Sequence, residues 1–141
     1  MLHALHAAGI PLVLRIDPLF SRSPLPTLPP ASLADFDLPE AQTLDDLEHL
    51  VALAKELQVR HVVYSPVKIV QPRGRKLSST MQALRKVYEA CAAPNKPVFR
   101  GGSWRLPDEV AQTHIVQPFL DICRRYGVPT KYCKHNLIET P

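Results

Sequence analysis

The chain has 141 residues, of which 45% are hydrophobic and 21% are charged. This length and composition suit one globular domain with a single core and exclude a largely disordered chain. No apolar run is long enough to span a bilayer and the N-terminus lacks an export signal, so we expect a cytoplasmic protein without membrane contact. The net charge of +4 is uneven, because residues 1–58 carry three Lys or Arg against eight Asp or Glu and residues 59–141 carry fourteen against five. The second half is the candidate for binding an anionic partner.

The first predicted elements are a helix end, a strand and a long helix. The stretch "HALHAA" (residues 3–8) is typical of the last turns of a helix that Gly9 closes, and "IPLVLRI" (residues 10–16) follows as a strand that ends before Pro18. Thr43 is a suitable N-cap for a helix whose apolar residues share one face. These residues are Leu44, Leu47, Leu50, Val51, Ala54 and Leu57.

The next predicted elements are a strand, a helix and a glycine loop. The strand is "VRHVVYS" (residues 59–65), and Pro66 ends it. Ser78 or Ser79 then begins a helix with one apolar side. That side comprises Met81, Leu84, Val87, Tyr88 and Cys91. The stretch "VFRGGSWRLPDE" (residues 98–109) predicts a short strand followed by a glycine loop.

Two helical pieces and a last strand complete the order. Pro107 and Pro118 each mark a helix start, because proline is tolerated in the first turn of a helix but breaks its interior. Gly127 ends the second piece, and "VPTKYC" (residues 128–133) is the last strand. The alternation of helices and strands predicts an α/β fold with a parallel sheet, in a single domain over residues 1–141.

Residues 18–42 form a long proline-rich exception to this alternation. Their prolines favour extended, unpaired backbone, and a loop of this length in a compact domain is usually functional or disordered. A solvated linker and a lid over a site both remain open.

The first strand carries two opposite charges on one of its faces. If Leu14 and Ile16 face the helices, Arg15 and Asp17 point the other way. In a barrel, charged groups near the carboxyl end of a strand lie in the mouth where ligands bind. The alternative is an ion pair with a structural role, since buried charges need partners in either case.

The second strand repeats this pattern. His61, Val63 and Ser65 alternate with Val62 and Tyr64, so one face again carries polar groups toward the carboxyl end. Taken alone, Tyr64 is more typical of a core residue with its hydroxyl at the rim, and His61 of a hydrogen-bonded structural histidine.

A basic segment follows the second strand, and more basic residues surround the Gly-Gly pair. The candidate nucleic-acid-binding residues are Lys68, Arg73, Arg75, Lys76, Arg100, Trp104 and Arg105. Arginine binds phosphate through paired hydrogen bonds, and an indole stacks on a base. We predict that the basic members lie on one side of the molecule, near the carboxyl ends of the strands, and hold a phosphate backbone. The alternative is an ordinary solvated basic loop.

The three cysteines do not form a recognisable motif. Cys91, Cys123 and Cys133 are an odd number in a chain without an export signal, so we expect reduced thiols rather than a disulfide framework. Their wide spacing also does not match a zinc or iron–sulfur motif, and no metal ligands are predicted in this chain.

Three segments, "AAGIPLVLRIDPLF", "VVYSPVKI" and "KYCKHNLIETP", resemble the later strands of radical S-adenosylmethionine enzymes. The resemblance is to the group related to spore photoproduct lyase, often labelled DNA-repair photolyases. It implies an incomplete (βα) barrel, open because the strands are too few to close it, with helices on its outer face. In such enzymes a C-x-x-x-C-x-x-C loop binds a 4Fe-4S cluster, which reductively cleaves S-adenosylmethionine to a 5′-deoxyadenosyl radical.

The sequence departs from this family in one large respect, because the three-cysteine motif is absent. The chain also begins within a predicted helix. We therefore expect the C-terminal part of a larger lyase-like enzyme, completed by an N-terminal half or a partner chain. We expect neither cluster nor cofactor to be bound by this chain alone.

The resemblance also implies roles for strand-end residues. Arg15, Asp17, Ser65 and Lys68 would bind S-adenosylmethionine, and Tyr64 would lie beside it as a candidate catalytic residue. Cys133 would donate a hydrogen atom to a substrate radical, although a buried structural cysteine is the alternative. A second function class stays open, namely a non-catalytic α/β module that binds nucleic acid or protein through its basic loops.

Overall fold

The computed structural model describes residues 1–19, 43–70, 73–90 and 99–133. The helices are α1 (Leu2–Ala7), α2 (Leu44–Glu56), α3 (Ser79–Ala90), α4 (Asp108–Ala111) and α5 (Gln117–Tyr126). The strands are β1 (Leu14–Leu19), β2 (Val62–Pro66), β3 (Ile69–Val70), β4 (Phe99–Arg100), β5 (Ser103–Trp104) and β6 (Thr130–Tyr132). The predicted α/β class is confirmed.

Strands β1, β2 and β6 form the predicted parallel sheet, in the order β1–β2–β6. The prediction that β1 ends before Pro18 is wrong, because the strand continues to Leu19 after a register shift. Proline lacks the N–H group that a central strand must donate, but β1 has a paired neighbour on one side only among the described residues. The shifted register allows Leu19 to reach the core.

One face of this sheet packs on helices α2 and α5. The shared core joins sheet residues to helix residues, and its central members are Ile16, Val62, Tyr64, Leu47, Val51, Phe119 and Ile122. The parallel register places Ile16 beside Tyr64, and Tyr64 beside Tyr132, so these side chains share a face. Val13 and Arg15 belong to the opposite face and are exposed. That second face therefore offers the polar groups of the sheet to a ligand.

Helix α2 begins at the predicted cap. The Thr43 hydroxyl accepts a hydrogen bond from the Asp46 amide at 3.1 Å, and the Asp46 carboxylate accepts one from the Thr43 amide at 2.9 Å. This reciprocal capping box satisfies two N–H groups that the first turn leaves unpaired. The predicted apolar face is broader than the buried one, because Leu44 and Leu50 at its margin stay exposed.

Helix α3 also begins near the predicted cap, since the Ser78 hydroxyl accepts a hydrogen bond from the Met81 amide at 3.3 Å. Leu84, Val87 and Tyr88 are buried as expected. The prediction that Met81 is buried is wrong, because it lies on the first turn and is 36% exposed.

A second, antiparallel sheet has the strand order β3–β5–β4, of which the sequence predicts only the short strand before the glycine loop. The glycine loop is a two-residue hairpin turn, in which Gly101 and Gly102 have φ values of +56° and +75°. Positive φ at both positions is typical of a type I′ turn, which side chains with a Cβ adopt with strain. The turn brings Phe99 opposite Trp104 and thereby creates an aromatic pair.

The prediction that Pro118 separates two helical pieces is wrong in part. Helix α4 continues through a π-helical turn (Gln112–Val116) directly into α5. Pro118 lies in the first turn of α5, where its missing N–H group is tolerated. Gly127 ends α5 as predicted, with a φ of +64°.

Several predicted features lie outside the described residues. They are most of the proline-rich segment 18–42, Cys91, the side chain of Arg100 and the residues after Cys133. Within the part of the chain that the structure describes, no helix is both long enough and apolar enough to cross a membrane.

Candidate functional site

Four polar side chains meet where the parallel strands end. Arg15 and Asp17 come from β1, Ser65 from β2, and Cys133 directly follows β6. Alternation along each strand and the parallel register bring them to one face and one edge of the sheet. We call these four residues the carboxyl-end cluster.

Asp17 is the centre of the carboxyl-end cluster. One of its carboxylate oxygens accepts a hydrogen bond from Arg15 Nη2 at 2.7 Å, and the other accepts one from the Ser65 hydroxyl. The same Nη2 atom lies 3.3 Å from Cys133 Sγ. The Cys133 amide donates to the Tyr64 carbonyl at 2.7 Å, which fixes the thiol beside β2. The three strands are therefore joined through side chains as well as through the backbone ladder.

The electrostatics of the carboxyl-end cluster keep Asp17 ionised. Burial acts to raise the pKa of Asp17, but hydrogen bonds from Ser65, Arg15 and Cys133 outweigh it and hold the pKa below its ordinary value. The hydrogen bond to Asp17 is in turn the main cause that raises the pKa of Arg15. The Asp17 side chain is 15% exposed, whereas that of Arg15 is 50% exposed. The carboxyl-end cluster thus contains a fixed carboxylate, Asp17, that accepts hydrogen bonds. It also contains a cation, Arg15, that is accessible to solvent or to a ligand.

The structure does not bring Tyr64 into this cluster. Its side chain lies on the helix-covered face, where its ring centroid is 5.4 Å from that of Phe119 and 5.5 Å from that of Tyr132. Burial raises the pKa of Tyr64. Any direct role for its hydroxyl at the Asp17 side of the sheet would need a rearrangement of the core.

The basic residues singled out in the sequence follow the carboxyl end of β2 along the chain or belong to the hairpin. Arg73, Arg75 and Lys76 are exposed, and Lys68 is half-buried. Arg105 Nε donates to the Ser103 hydroxyl at 3.1 Å, which orients the guanidinium next to β5. The grouping of all these cations on one side stays a prediction.

Sequence reasoning missed three residues beside this basic segment. The guanidinium carbon of Arg85 lies 4.8 Å from the centroid of the Trp104 ring, and the Phe99 ring packs on Trp104 from β4. Lys86, adjacent in α3, lines the same surface cleft as Arg85. The exposed, basic side of α3 was a signal in the sequence, but its proximity to the hairpin follows only from the fold.

The described cysteines lie in different environments. Cys123 is in the core on α5, and burial raises the pKa of its thiol to about 11. Cys133 lies on the other side of the sheet, next to Arg15. Among the described residues, no three His, Cys, Asp or Glu side chains are grouped so that they hold a metal ion.

Comparisons with protein-family models, with curated proteins and with solved structures found no match. The assignment of a candidate site therefore rests on the geometry of the described residues. This geometry favours the carboxyl-end cluster, because three separate strands contribute to it and the carboxyl edge of a parallel sheet is where ligands generally bind.

Proposed function

We propose that this chain supplies the later strands of an incomplete (βα) barrel in a radical S-adenosylmethionine enzyme that acts on nucleic acid. The observation that carries this proposal is the carboxyl-end cluster, in which Arg15, Asp17 and Ser65 converge from adjacent parallel strands. A parallel sheet with helices α2 and α5 on one face is compatible with such a barrel. The resemblance of three segments to this family supports the choice of chemistry.

The carboxyl-end cluster suits the polar part of S-adenosylmethionine. The exposed guanidinium of Arg15 is a partner for the α-carboxylate, since arginine binds carboxylates through paired hydrogen bonds. Asp17, held ionised by its neighbours, is an acceptor for ribose hydroxyl or ammonium groups. The Ser65 hydroxyl, which donates to Asp17, fixes the orientation of that carboxylate. When bound, this cofactor supplies radical chemistry.

The described cysteines do not fit a 4Fe-4S cluster. Such a cluster needs several thiolates at one place, whereas Cys123 is buried on the helix-covered side of the sheet and Cys133 lies on the opposite side. The thiolates of a cluster would therefore come from outside the described residues. The role of Cys133 as a hydrogen-atom donor stays a prediction.

Titration calorimetry with S-adenosylmethionine tests the proposed site in the reconstituted enzyme, in which a chain carrying the three-cysteine motif completes this chain. We expect saturable binding that weakens at least about tenfold in Arg15→Gln and in Asp17→Asn, because each loses a charge-assisted hydrogen bond to the cofactor. Arg125→Gln is the matched control, since Arg125 is an exposed arginine on α5 that also pairs with a carboxylate, that of Glu48. Equal affinities in all four proteins, or no binding to any of them, would contradict the proposal.

Anaerobic reconstitution with iron and sulfide tests the proposed division of the enzyme. We expect no 5′-deoxyadenosine from this chain alone and product once a chain carrying the three-cysteine motif is added. The assay measures the nucleoside after a reductant and S-adenosylmethionine are supplied. Product from this chain of 141 residues alone would contradict the prediction that its cysteines bind no cluster.

A non-catalytic binding module is the second candidate, and the contact between Arg85 and Trp104 favours it. This contact places a cation and an aromatic ring together, as in many nucleic-acid-binding surfaces. One measurement, the binding of S-adenosylmethionine, distinguishes the two candidate functions. Nucleic-acid binding in a protein that ignores S-adenosylmethionine would favour the module, whereas cofactor binding at Asp17 would favour the enzyme.

A further inference from the structure

An open cleft of about 340 Å³ runs beside helix α3 and shares no residue with the carboxyl-end cluster. Its lining residues are Lys76, Leu77, Gln82, Arg85, Lys86 and Glu89. We call it the α3 cleft. Its volume is at the lower end of the range for small-ligand pockets, about 300–1,000 Å³.

The walls of the α3 cleft are tied together by hydrogen bonds. Gln82 Nε2 donates to the Leu77 carbonyl at 2.7 Å, so the loop before α3 is held against the helix. The Ser78 cap fixes the same junction. On the other side of α3, the Tyr88 hydroxyl donates to the Val67 carbonyl at 3.0 Å, which anchors the helix to the segment that follows β2. These hydrogen bonds therefore hold Lys76, which directly precedes Leu77, close to α3.

The charge of the α3 cleft is positive. Three cations line it against one carboxylate, that of Glu89, and this carboxylate already accepts a hydrogen bond from Arg85 Nε at 2.6 Å. Neither Lys76 nor Lys86 forms an ion pair with another described residue. Two ammonium groups thus remain available for an anionic ligand, and each is compatible with a phosphate.

An aromatic pair adjoins the α3 cleft through Arg85. The guanidinium of Arg85 lies over the Trp104 ring, and the centroid of that ring is 4.7 Å from the Phe99 centroid. Phe99 is 47% exposed, although large apolar side chains are usually buried. A flat apolar surface and a cationic cleft are therefore neighbours.

We infer that the α3 cleft and the Phe99–Trp104 pair together bind an unpaired stretch of nucleic acid. Lys76 and Lys86 contact its phosphates, and a base stacks on the exposed face of Phe99. The bases of a duplex are covered on both faces by their neighbours, so only an unpaired base can stack on a side chain. This inference rests on the proposed nucleic-acid substrate and not on the binding of S-adenosylmethionine.

An acidic peptide is the competing ligand for a cationic cleft. It would use the lysines but not the aromatic pair, because its carboxylates carry no stacking surface. The exposed ring of Phe99 packs on Trp104, which in turn contacts Arg85, and this arrangement favours nucleic acid. Loss of the Phe99 ring should therefore weaken the binding of nucleic acid and leave the binding of an acidic peptide unchanged.

The chain has a single tryptophan, so its fluorescence reports on this surface directly. We expect a single-stranded oligothymidylate to change Trp104 emission saturably and a blunt-ended duplex of matched length to bind at least about tenfold more weakly. The affinity for the single strand should fall with salt, with a logarithmic slope of about −0.7 per phosphate contact. Fluorescence anisotropy of a labelled oligonucleotide measures the same affinities independently.

Variants separate the two parts of the surface. Lys76→Gln with Lys86→Gln should weaken binding about tenfold or more and reduce the salt slope by about one unit or more. Phe99→Leu should weaken binding while leaving the salt slope unchanged, because it removes a stacking surface and no charge. Arg124→Gln with Arg125→Gln is the matched control, since it removes two exposed charges from α5 and should alter binding less than twofold.

Three results would overturn the inference. The first is equal affinity for duplex and single strand. The second is a loss of affinity in the α5 control variant that equals the loss in the lysine variant. The third is binding of polyglutamate that is as tight as that of the oligonucleotide and is unchanged by Phe99→Leu. Cofactor binding is measured separately in the reconstituted enzyme. Binding of S-adenosylmethionine there, without oligonucleotide binding by this chain, would refute this inference and leave the assignment of the cofactor site intact.

Discussion

At the scale of single residues, Asp17 has three hydrogen-bonding partners, and little of its side chain is exposed to solvent. Ser65, Arg15 and Cys133 all stabilise its charged form, and they belong to or directly follow three different strands. A carboxylate in this setting joins the strands and also provides a fixed acceptor for a ligand. The structural role of Asp17 is therefore compatible with its proposed role in ligand binding, and the pH dependence of stability reports on the structural role alone.

Asp17→Asn should change how stability depends on pH. The folded-state pKa of Asp17 is lowered, so its contribution is present above the unfolded-state pKa of about 3.9 and is lost as the pH falls through the folded value. We expect the difference in the free energy of unfolding between wild type and Asp17→Asn to be larger at neutral pH than at about pH 3. Urea unfolding at both pH values measures this difference.

Asp45→Asn is the matched control for this experiment, since Asp45 is an exposed carboxylate on α2 outside the carboxyl-end cluster. Its effect should be smaller and should change less between the two pH values. A difference for Asp17→Asn that stays constant down to acid pH would contradict the hydrogen-bonding account of the cluster.

The two described thiols should differ in reactivity. Both thiols are buried, but Cys123 is 1% exposed in the core with its pKa raised to about 11, whereas Cys133 is 9% exposed at the carboxyl end of the sheet. We expect N-ethylmaleimide to modify Cys133 before Cys123 in the native protein, because the reagent reaches Cys133 without an opening of the core. Mass spectrometry of peptides assigns each site, and denatured protein provides the reference. Earlier modification of Cys123 would contradict the prediction.

At the scale of elements, helix α2 shows which features a local sequence determines. Its cap and its apolar periodicity lie within one short stretch, and both follow from side-chain chemistry that acts over four residues or fewer. The start at Thr43 and the buried residues Leu47 and Val51 were therefore predictable. Leu44 and Leu50 were not, because their exposure depends on how far the sheet extends under the helix.

Removal of the α2 cap tests this local account. Thr43→Ala deletes the hydroxyl that accepts from the Asp46 amide, so we expect a loss of about 1 kcal/mol in the free energy of unfolding. Thr43→Ser keeps a hydroxyl at the same position and should retain most of that stability. Urea denaturation followed by circular dichroism compares the three proteins. Equal losses in both variants would show that the methyl group, and not the cap, is what stabilises α2.

The antiparallel sheet shows what the sequence leaves undetermined. Its strands have two residues each, which is too short for a visible alternation, and Ile69 pairs with Trp104 from a distant part of the chain. The contact between Arg85 and Trp104 depends on this pairing and was equally invisible. The convergence of Arg15, Asp17 and Ser65 was predictable, because alternation and parallel strands alone bring them together.

At the scale of the whole molecule, one core joins the two sheets. Ile16 and Val51 on the parallel side and Ile69 and Tyr88 on the antiparallel side belong to the same buried cluster, and Trp104 packs against its edge. Both the carboxyl-end cluster and the α3 cleft are thus built on elements that share this core. Damage to one side of the core should therefore reach the other side.

Val51→Ala tests whether the two sheets unfold together. The variant loses two methyl groups from a fully buried position between α2 and the parallel sheet, and we expect roughly 2 kcal/mol of destabilisation from lost burial and the remaining cavity. Because Trp104 lies in the other sheet, its fluorescence midpoint in urea should shift together with the circular-dichroism midpoint. Val70→Ala, at an exposed position on β3, is the control and should shift neither by a comparable amount. If Val51→Ala moved the circular-dichroism transition but left the Trp104 transition in place, the two sheets would be unfolding separately.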